Sequence, residues 1–267
     1  MDEQMLANDV ISKALFDNAL NNNQEHDNVN VLNIAGASNS GLDEKSAEVL
    51  NFIHSLPPAY ELELETVRKN RQHPFGHDLT DDVIKQDFTI PCKNHTLEAR
   101  VYRPKNLKNE CLPALVYFHG GGFVLGDIEN YDKMLAQLCS QSHIVIISIA
   151  YRLAPETMFP GAVEDTQESI DWIAENTQIF NINPTRIAVG GDSAGANLVT
   201  VYCHLNKERI DFKPCFQLLI YPSIIGNDTS KSRELFPEKL LLTKKLIQWF
   251  HNAYISKAQE NDPRFNV

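Results

Sequence analysis

Residues 186–198 read RIAVGGDSAGANL, and the fold turns on them. The apolar run that ends at Val189 predicts a strand; the run ANLVTVYCHL, from Ala196 to Leu205, predicts a helix. Between them stands Gly191-Asp192-Ser193-Ala194-Gly195. A strand that turns at once into a helix puts one residue in a strained conformation. Flanking glycines relieve the crowding because they lack Cβ. Such a turn holds the Ser193 hydroxyl clear of the sheet, at its carboxyl edge. The Ala194 N–H points at the same spot from a helix N-terminus, where the dipole favours developing negative charge. By composition alone, a G-x-S-x-G match in a chain this long arises on the order of one time in ten. The strand before it and the helix after it therefore carry the reading.

Further strand signals surround this turn. VIKQDFTI and LEARVYR, in 83–103, alternate apolar and polar residues, as a half-covered antiparallel pair does. PALVYF, HIVIISIA and FQLLIYP, like RIAVGG, are almost continuous apolar runs, as in parallel strands covered on both faces. Helix signals lie between them, at Asp127–Ser140, after Pro160, and from Ala194 to about Lys207. That order predicts an α/β fold in which an antiparallel start leads into a doubly wound, mostly parallel sheet. Earlier, Leu50, Ile53 and Leu56 share a helical face that Pro57-Pro58 stops; Leu62, Leu64 and Val67 suggest a second short helix. A last helix is expected at Thr243–Ser256, with Thr243 as its N-cap. Residues 1–41 are rich in Asn, Ser and Gly and read as a flexible lead, with room for a short helix at Glu3–Leu20. Gly226–Lys239 is polar and irregular and reads as an insertion or part of a cap.

A second motif follows PALVYF: His119-Gly120-Gly121-Gly122. Three successive glycines let bare backbone approach a ligand, and their N–H groups can face the cleft beside Ser193. A phosphate-cradling loop fits poorly, because there is no G-K-[ST] and no G-x-G-x-x-G opening a helix.

Together these stretches resemble the hormone-sensitive lipase family of α/β hydrolases. The matching runs are HGGGFVLG, Tyr151-Arg152-Leu153-Ala154-Pro155-Glu156, FPGAVEDT around Asp165, RIAVGGDSAGANL, LLIYPS and LLLTKKLIQWFHNAY. LEARVYRP and the helices of Leu42–Arg68 resemble the family's first strand and N-terminal cap. The resemblance covers about Leu42 to Val267. It implies an α/β-hydrolase domain over 42–267, with cap helices in 42–80 and a further cap segment in 226–260. Residue by residue, Ser193 resembles the nucleophile, and Gly121, Gly122 and Ala194 the oxyanion-hole donors. His119, with Gly120, resembles the support of the glycine loop, not the base. Asp192 and Asp165 stand at positions that look structural. Phe123, Leu125 and Gly226–Tyr254 are candidates to line an acyl pocket. The implied chemistry is a carboxylesterase or lipase reaction on short to medium acyl esters, with a small-molecule ester as partner and no metal or organic cofactor.

Two roles are left unfilled. A serine hydroxyl needs a base, and the base an orienting acid. In this fold they follow the serine in the order acid, then histidine, which the family places after its seventh and eighth strands. Six strand signals are present, and the only histidines after Ser193 are His204 and His251. His204 lies about three helical turns on, ~16 Å at 1.5 Å per residue. The expectation is a sheet lacking its last two strands, a C-terminally truncated and weak or inactive enzyme, and FQLLIYP as an exposed edge. A non-catalytic ligand-binding module on the same fold is the alternative, and a peptidase a weaker third.

The net charge of −11, with no basic cluster, argues against nucleic acid and anionic membrane as partners. The five cysteines are scattered and form no C-x-x-C pair, so they read as reduced thiols, not as a disulfide frame or a zinc site. The chain opens Met1-Asp2-Glu3, without a basic or apolar leader, and a cytoplasmic location is expected. A homo-oligomer is compatible with all of this.

Overall fold

The structure is a computed structural model and describes residues 43–70, 80–224, 231, 234 and 240–267. The lead 1–41, with the helix expected at Glu3–Leu20, and nearly all of Gly226–Lys239 lie outside the described residues.

Six strands form one sheet: β1 (Val83–Pro91), β2 (Thr96–Pro104), β3 (Leu112–Phe118), β4 (Val145–Ala150), β5 (Ile182–Asp192) and β6 (Phe216–Ile220). Their spatial order is β1-β2-β4-β3-β5-β6. β1 and β2 pair antiparallel, and so do β2 and β4; the other pairs are parallel. This is the antiparallel start and parallel body that the alternating and continuous apolar runs predict.

Successive residues of β3 and β4 point to opposite faces. Val116, Phe118, Ile147 and Ile149 join the larger core, while Leu115, Tyr117 and Ile146 join the smaller one. Helix α3 (Ile128–Ser142) covers the smaller core with Leu135, Ala136 and Cys139. Helices α4 (Gly161–Glu175) and α5 (Ala194–Leu205) cover the larger one through Ile170, Ile173, Leu198 and Val201. Ile146, Ile147 and Ile149 are completely buried, and each contributes roughly 1.5–3 kcal/mol of burial.

The caps follow sequence chemistry. Asp127 accepts from the Asn130 N–H at the start of α3, 2.7 Å away. Thr243 does the same for Leu246 at the start of α6 (Lys244–Tyr254), at 3.2 Å. Near the N-terminus, α1 (Glu44–Ser55) is capped by Asp43, and α2 is Leu64–Asn70. Leu50 of α1 is buried, but Leu56 is 41% exposed. Its backbone has already turned extended at the C-cap, so it leaves the face that Leu50 and Ile53 share.

The apolar run of β6 is the one not covered on both faces; it lies open, as the expectation of an exposed edge at FQLLIYP requires. Its residues are exposed or half-buried, and Phe216 is 61% exposed. Among the described residues β6 has a strand on one side only. Among the described residues no helix is long and apolar enough to cross a membrane.

Candidate active site

β3 and β5 are parallel neighbours, and Phe118 stands opposite Gly191. Gly120 and Asp192, 72 positions apart in sequence, therefore leave the sheet side by side with their motifs. Ser193 sits between β5 and α5 at φ 51° and ψ −114°, a sparsely populated conformation that costs about 1–3 kcal/mol. Three backbone hydrogen bonds hold it there. The Ser193 N–H donates to Ile220 O at 2.9 Å, and the Ser193 carbonyl accepts from Asn197 N and Ser223 N, both at 3.1 Å. The flanking glycines have a specific reason. A Cβ on Gly191 or Gly195 would lie far inside van der Waals contact distance of the Phe118 carbonyl oxygen. The end of β3 presses against the turn, and only hydrogen fits between.

The glycine turn is built as tightly. Gly121, Gly122 and Phe123 have φ of 125°, 62° and 65°. The Gly121 carbonyl accepts from Val124 N at 3.1 Å and Leu125 N at 2.9 Å. A Cβ on Gly122 would overlap the Phe250 ring of α6, so that aromatic lies directly on the glycine.

Asp192 joins the two motifs. Its carboxylate accepts from Gly120 N (2.9 Å), the Tyr117 hydroxyl (2.9 Å) and the Tyr131 hydroxyl (2.8 Å). The side chain is almost wholly buried, and three donors are what a buried carboxylate requires. Burial, and then the Asp192 charge, push both tyrosine hydroxyls well above their usual pKa, so they remain donors. The expected structural role of Asp192 thus takes a definite form: it pins the first glycine to the residue beside Ser193. Sequence reading missed Tyr117 and Tyr131, whose spacing from Asp192 carries no motif.

His119 is buried, with its ring stacked on Tyr151 at 4.5 Å and 20°. Its Nδ1 lies 2.8 Å from Gly120 O. A carbonyl only accepts, so Nδ1 carries the proton. The Tyr151 hydroxyl donates to the His119 carbonyl at 2.8 Å. Burial holds the imidazole below its ordinary pKa, and a neutral, buried, engaged ring has the geometry of a brace. Ala194 opens α5 and is buried.

Phe123 and Leu125, named as acyl-pocket candidates, are packed in the core, Phe123 stacked on Tyr254 at 4.0 Å. His204 is exposed near the end of α5. His251 lies on α6, edge-on to Phe265 at 5.4 Å. Asp165 is completely buried on α4 and accepts from the Arg152 N–H at 2.8 Å and from its guanidinium at 2.6 Å. The His95 ring meets the same carboxylate at 2.8 Å, a contact the sequence did not suggest.

Comparison with known proteins agrees with this architecture. A sequence profile described as the α/β hydrolase fold matches residues 115–267. The chain is 39% identical over 187 residues to the carboxylic ester hydrolase LipN of Mycobacterium tuberculosis, covering 67% of this chain and 49% of that protein. It is 34% identical over 176 residues to an ethyl acetate hydrolase of Pseudomonas putida, covering 64% and 55%. A fungal esterase structure from Rhizomucor miehei superposes with a TM-score of 0.78 at 31% identity, covering 84% of this chain and 72% of that one. The chain spans about half the length of these two curated relatives. With a profile match over residues 115–267 and esterases among its relatives and structural neighbours, this chain belongs to the hormone-sensitive lipase family of the α/β hydrolases.

Proposed function

We propose that this domain is a serine carboxylic ester hydrolase scaffold for short to medium acyl esters. The observation that carries the reading is the pairing of Phe118 with Gly191, which sets the triple-glycine turn and Ser193 at one rim of the sheet. Ser193 Oγ attacks the ester carbonyl as a base takes its proton, and that base returns the proton to the departing alkoxide oxygen. The N–H groups of Gly121, Gly122 and Ala194 receive the tetrahedral oxyanion. The alcohol leaves, and water hydrolyses the acyl-enzyme. His119 and Asp192 hold the donors in place and take no proton from substrate. The names of the relatives, ester hydrolases among them, support this substrate class.

Among the described residues, the same reading assigns no base or acid to Ser193. His119 is engaged with its own loop, His204 is exposed near the far end of α5, and His251 packs against Phe265. The chain by itself therefore turns over esters slowly or not at all. The test is p-nitrophenol release from the acetate and butyrate esters. We expect the 267-residue chain to match its Ser193→Ala variant. The same domain extended by a segment that supplies an aspartate and a histidine should turn over, and lose that turnover in Ser193→Ala. Turnover by the chain alone that vanishes in Ser193→Ala overturns the missing-base reading; turnover of the extended form that survives it overturns the nucleophile.

The unfilled base also favours a second reading, a ligand-binding module that uses the oxyanion donors without chemistry. Saturable binding of a carboxylate or ester ligand by the extended form, with no turnover, selects it.

A further inference from the structure

The hairpin between β1 and β2 carries chemistry that the hydrolase does not use. Its loop is Cys92-Lys93-Asn94-His95, closed by a hydrogen bond from Cys92 N to His95 O at 2.9 Å. That closure puts the two side chains at the base of one tight turn. The turn is tied to α4, where the Lys93 N–H donates to Glu168 Oε2 at 2.8 Å. Cys92 Sγ, a ring nitrogen of His95 and a carboxylate oxygen of Glu168 all lie within 4.8 Å of one another. All three residues are partly buried.

Behind them stands a supporting carboxylate. His95 Nε2 is 2.8 Å from Oδ1 of Asp165, which is completely buried and fixed by Arg152. Asp165 lies one turn before Glu168 on the same helix face. Donation from Nε2–H to Asp165 fixes the tautomer and leaves the Nδ1 lone pair for a ligand. A carboxylate behind a ligating histidine is the usual outer arrangement of a metal site. The Arg152 guanidinium is occupied by Asp165, so it does not neutralise Glu168 by contact.

We propose that Cys92, His95 and Glu168 form a site for a divalent cation of zinc type, with Asp165 orienting His95. Thiolate, imidazole and carboxylate together suit Zn²⁺, and three protein ligands leave a fourth position for water. Ligand atoms around a tetrahedral zinc lie roughly 3.5 Å apart, given bonds of 2.0–2.3 Å, so small side-chain rotations would draw the three atoms, within 4.8 Å of one another, to that spacing. Binding exchanges the Cys92 thiol proton for the metal, and the proton leaves to solvent. The site would clip the β1–β2 hairpin to α4, away from Ser193. The expected scatter of the cysteines concealed it, because one ligand is a histidine three residues on and another comes from α4.

The probe is Co²⁺ added to the whole chain, followed by its displacement with Zn²⁺. We expect one equivalent, a thiolate-to-cobalt charge-transfer band, and a rise in Tm with Zn²⁺. Cys92→Ser should lose the band and the Tm rise. His95→Gln and Glu168→Gln should each weaken binding at least 10-fold, and Cys215→Ser should change nothing. Circular dichroism of each variant separates lost ligation from lost folding. A band that survives in Cys92→Ser, or no saturable binding by the folded parent chain, overturns the proposal.

Discussion

At Gly195 the geometry leaves no room for a methyl group. A Cβ there would meet the carbonyls of Phe118 and His119, and both belong to backbone that cannot rotate aside. Gly195→Ala should therefore cost roughly 3 kcal/mol or more, at the upper end of overpacking effects. The check is the urea midpoint, and a loss under about 1 kcal/mol would mean that β3 and the elbow can separate. His119 supports a prediction about pH. Burial lowers its folded-state pKa, while the unfolded histidine titrates near ~6.5. Between those two values the unfolded chain binds more protons. This contribution is thus fully present above ~6.5 and is lost as pH falls toward the folded value. His119→Gln keeps a donor for Gly120 O without the titration. Its urea midpoint should fall less than that of the parent between about pH 7.5 and 5.5, and equal losses would show that His119 does not set the slope.

Elements were more legible than their surroundings. β1 to β4 begin and end within two residues of the runs that announced them, because period-two and continuous apolar patterns are local properties. β5 begins earlier, at Ile182, since the Asn183-Pro184-Thr185 that follows Ile182 breaks any apolar pattern. The exposure of β6 followed from counting strands and not from its own pattern: an apolar run records what a strand can bury, whereas its neighbours decide what it does bury. Phe216, Leu219 and Tyr221 are 61%, 36% and 73% exposed, beside a row of backbone groups that no described strand pairs. Such an edge invites another chain. The double variant Phe216→Lys/Leu219→Lys should reduce self-association in sedimentation velocity without moving the thermal midpoint appreciably. An oligomer distribution unchanged by both charges would show that the edge is not the sticky surface.

Across the whole molecule, the two glycine-bearing motifs were legible as patterns and the contacts around them were not. Ser193 and the three glycines announce themselves by spacing. The Asp192–Tyr117–Tyr131 cluster and the His95–Asp165 contact join residues 61 to 75 positions apart, and only the folded sheet brings them together. The same holds for an aromatic cluster that ties the glycine turn to the end of the chain. Phe123 of that turn stacks on Tyr254, and Phe265 lies within 6.3 Å of Phe123, Phe159 and Tyr254, ring centre to ring centre. The Phe265 carbonyl accepts from the buried Asn197 side chain of α5 at 3.1 Å. Two variants of this cluster should differ sharply in their effect on stability. Phe265→Ala empties a buried site and should cost about 3–5 kcal/mol, loosening α6, α5 and the glycine turn together. Tyr254→Phe removes a buried hydroxyl that has no hydrogen-bond partner among the described residues, while the stack on Phe123 remains. Losing an unsatisfied polar atom is neutral or stabilising, by up to about 1–3 kcal/mol. Urea midpoints of both variants decide the matter: a loss in Tyr254→Phe comparable with that in Phe265→Ala would mean that the hydroxyl is solvated or paired in solution and that the cluster is looser than its ring distances imply.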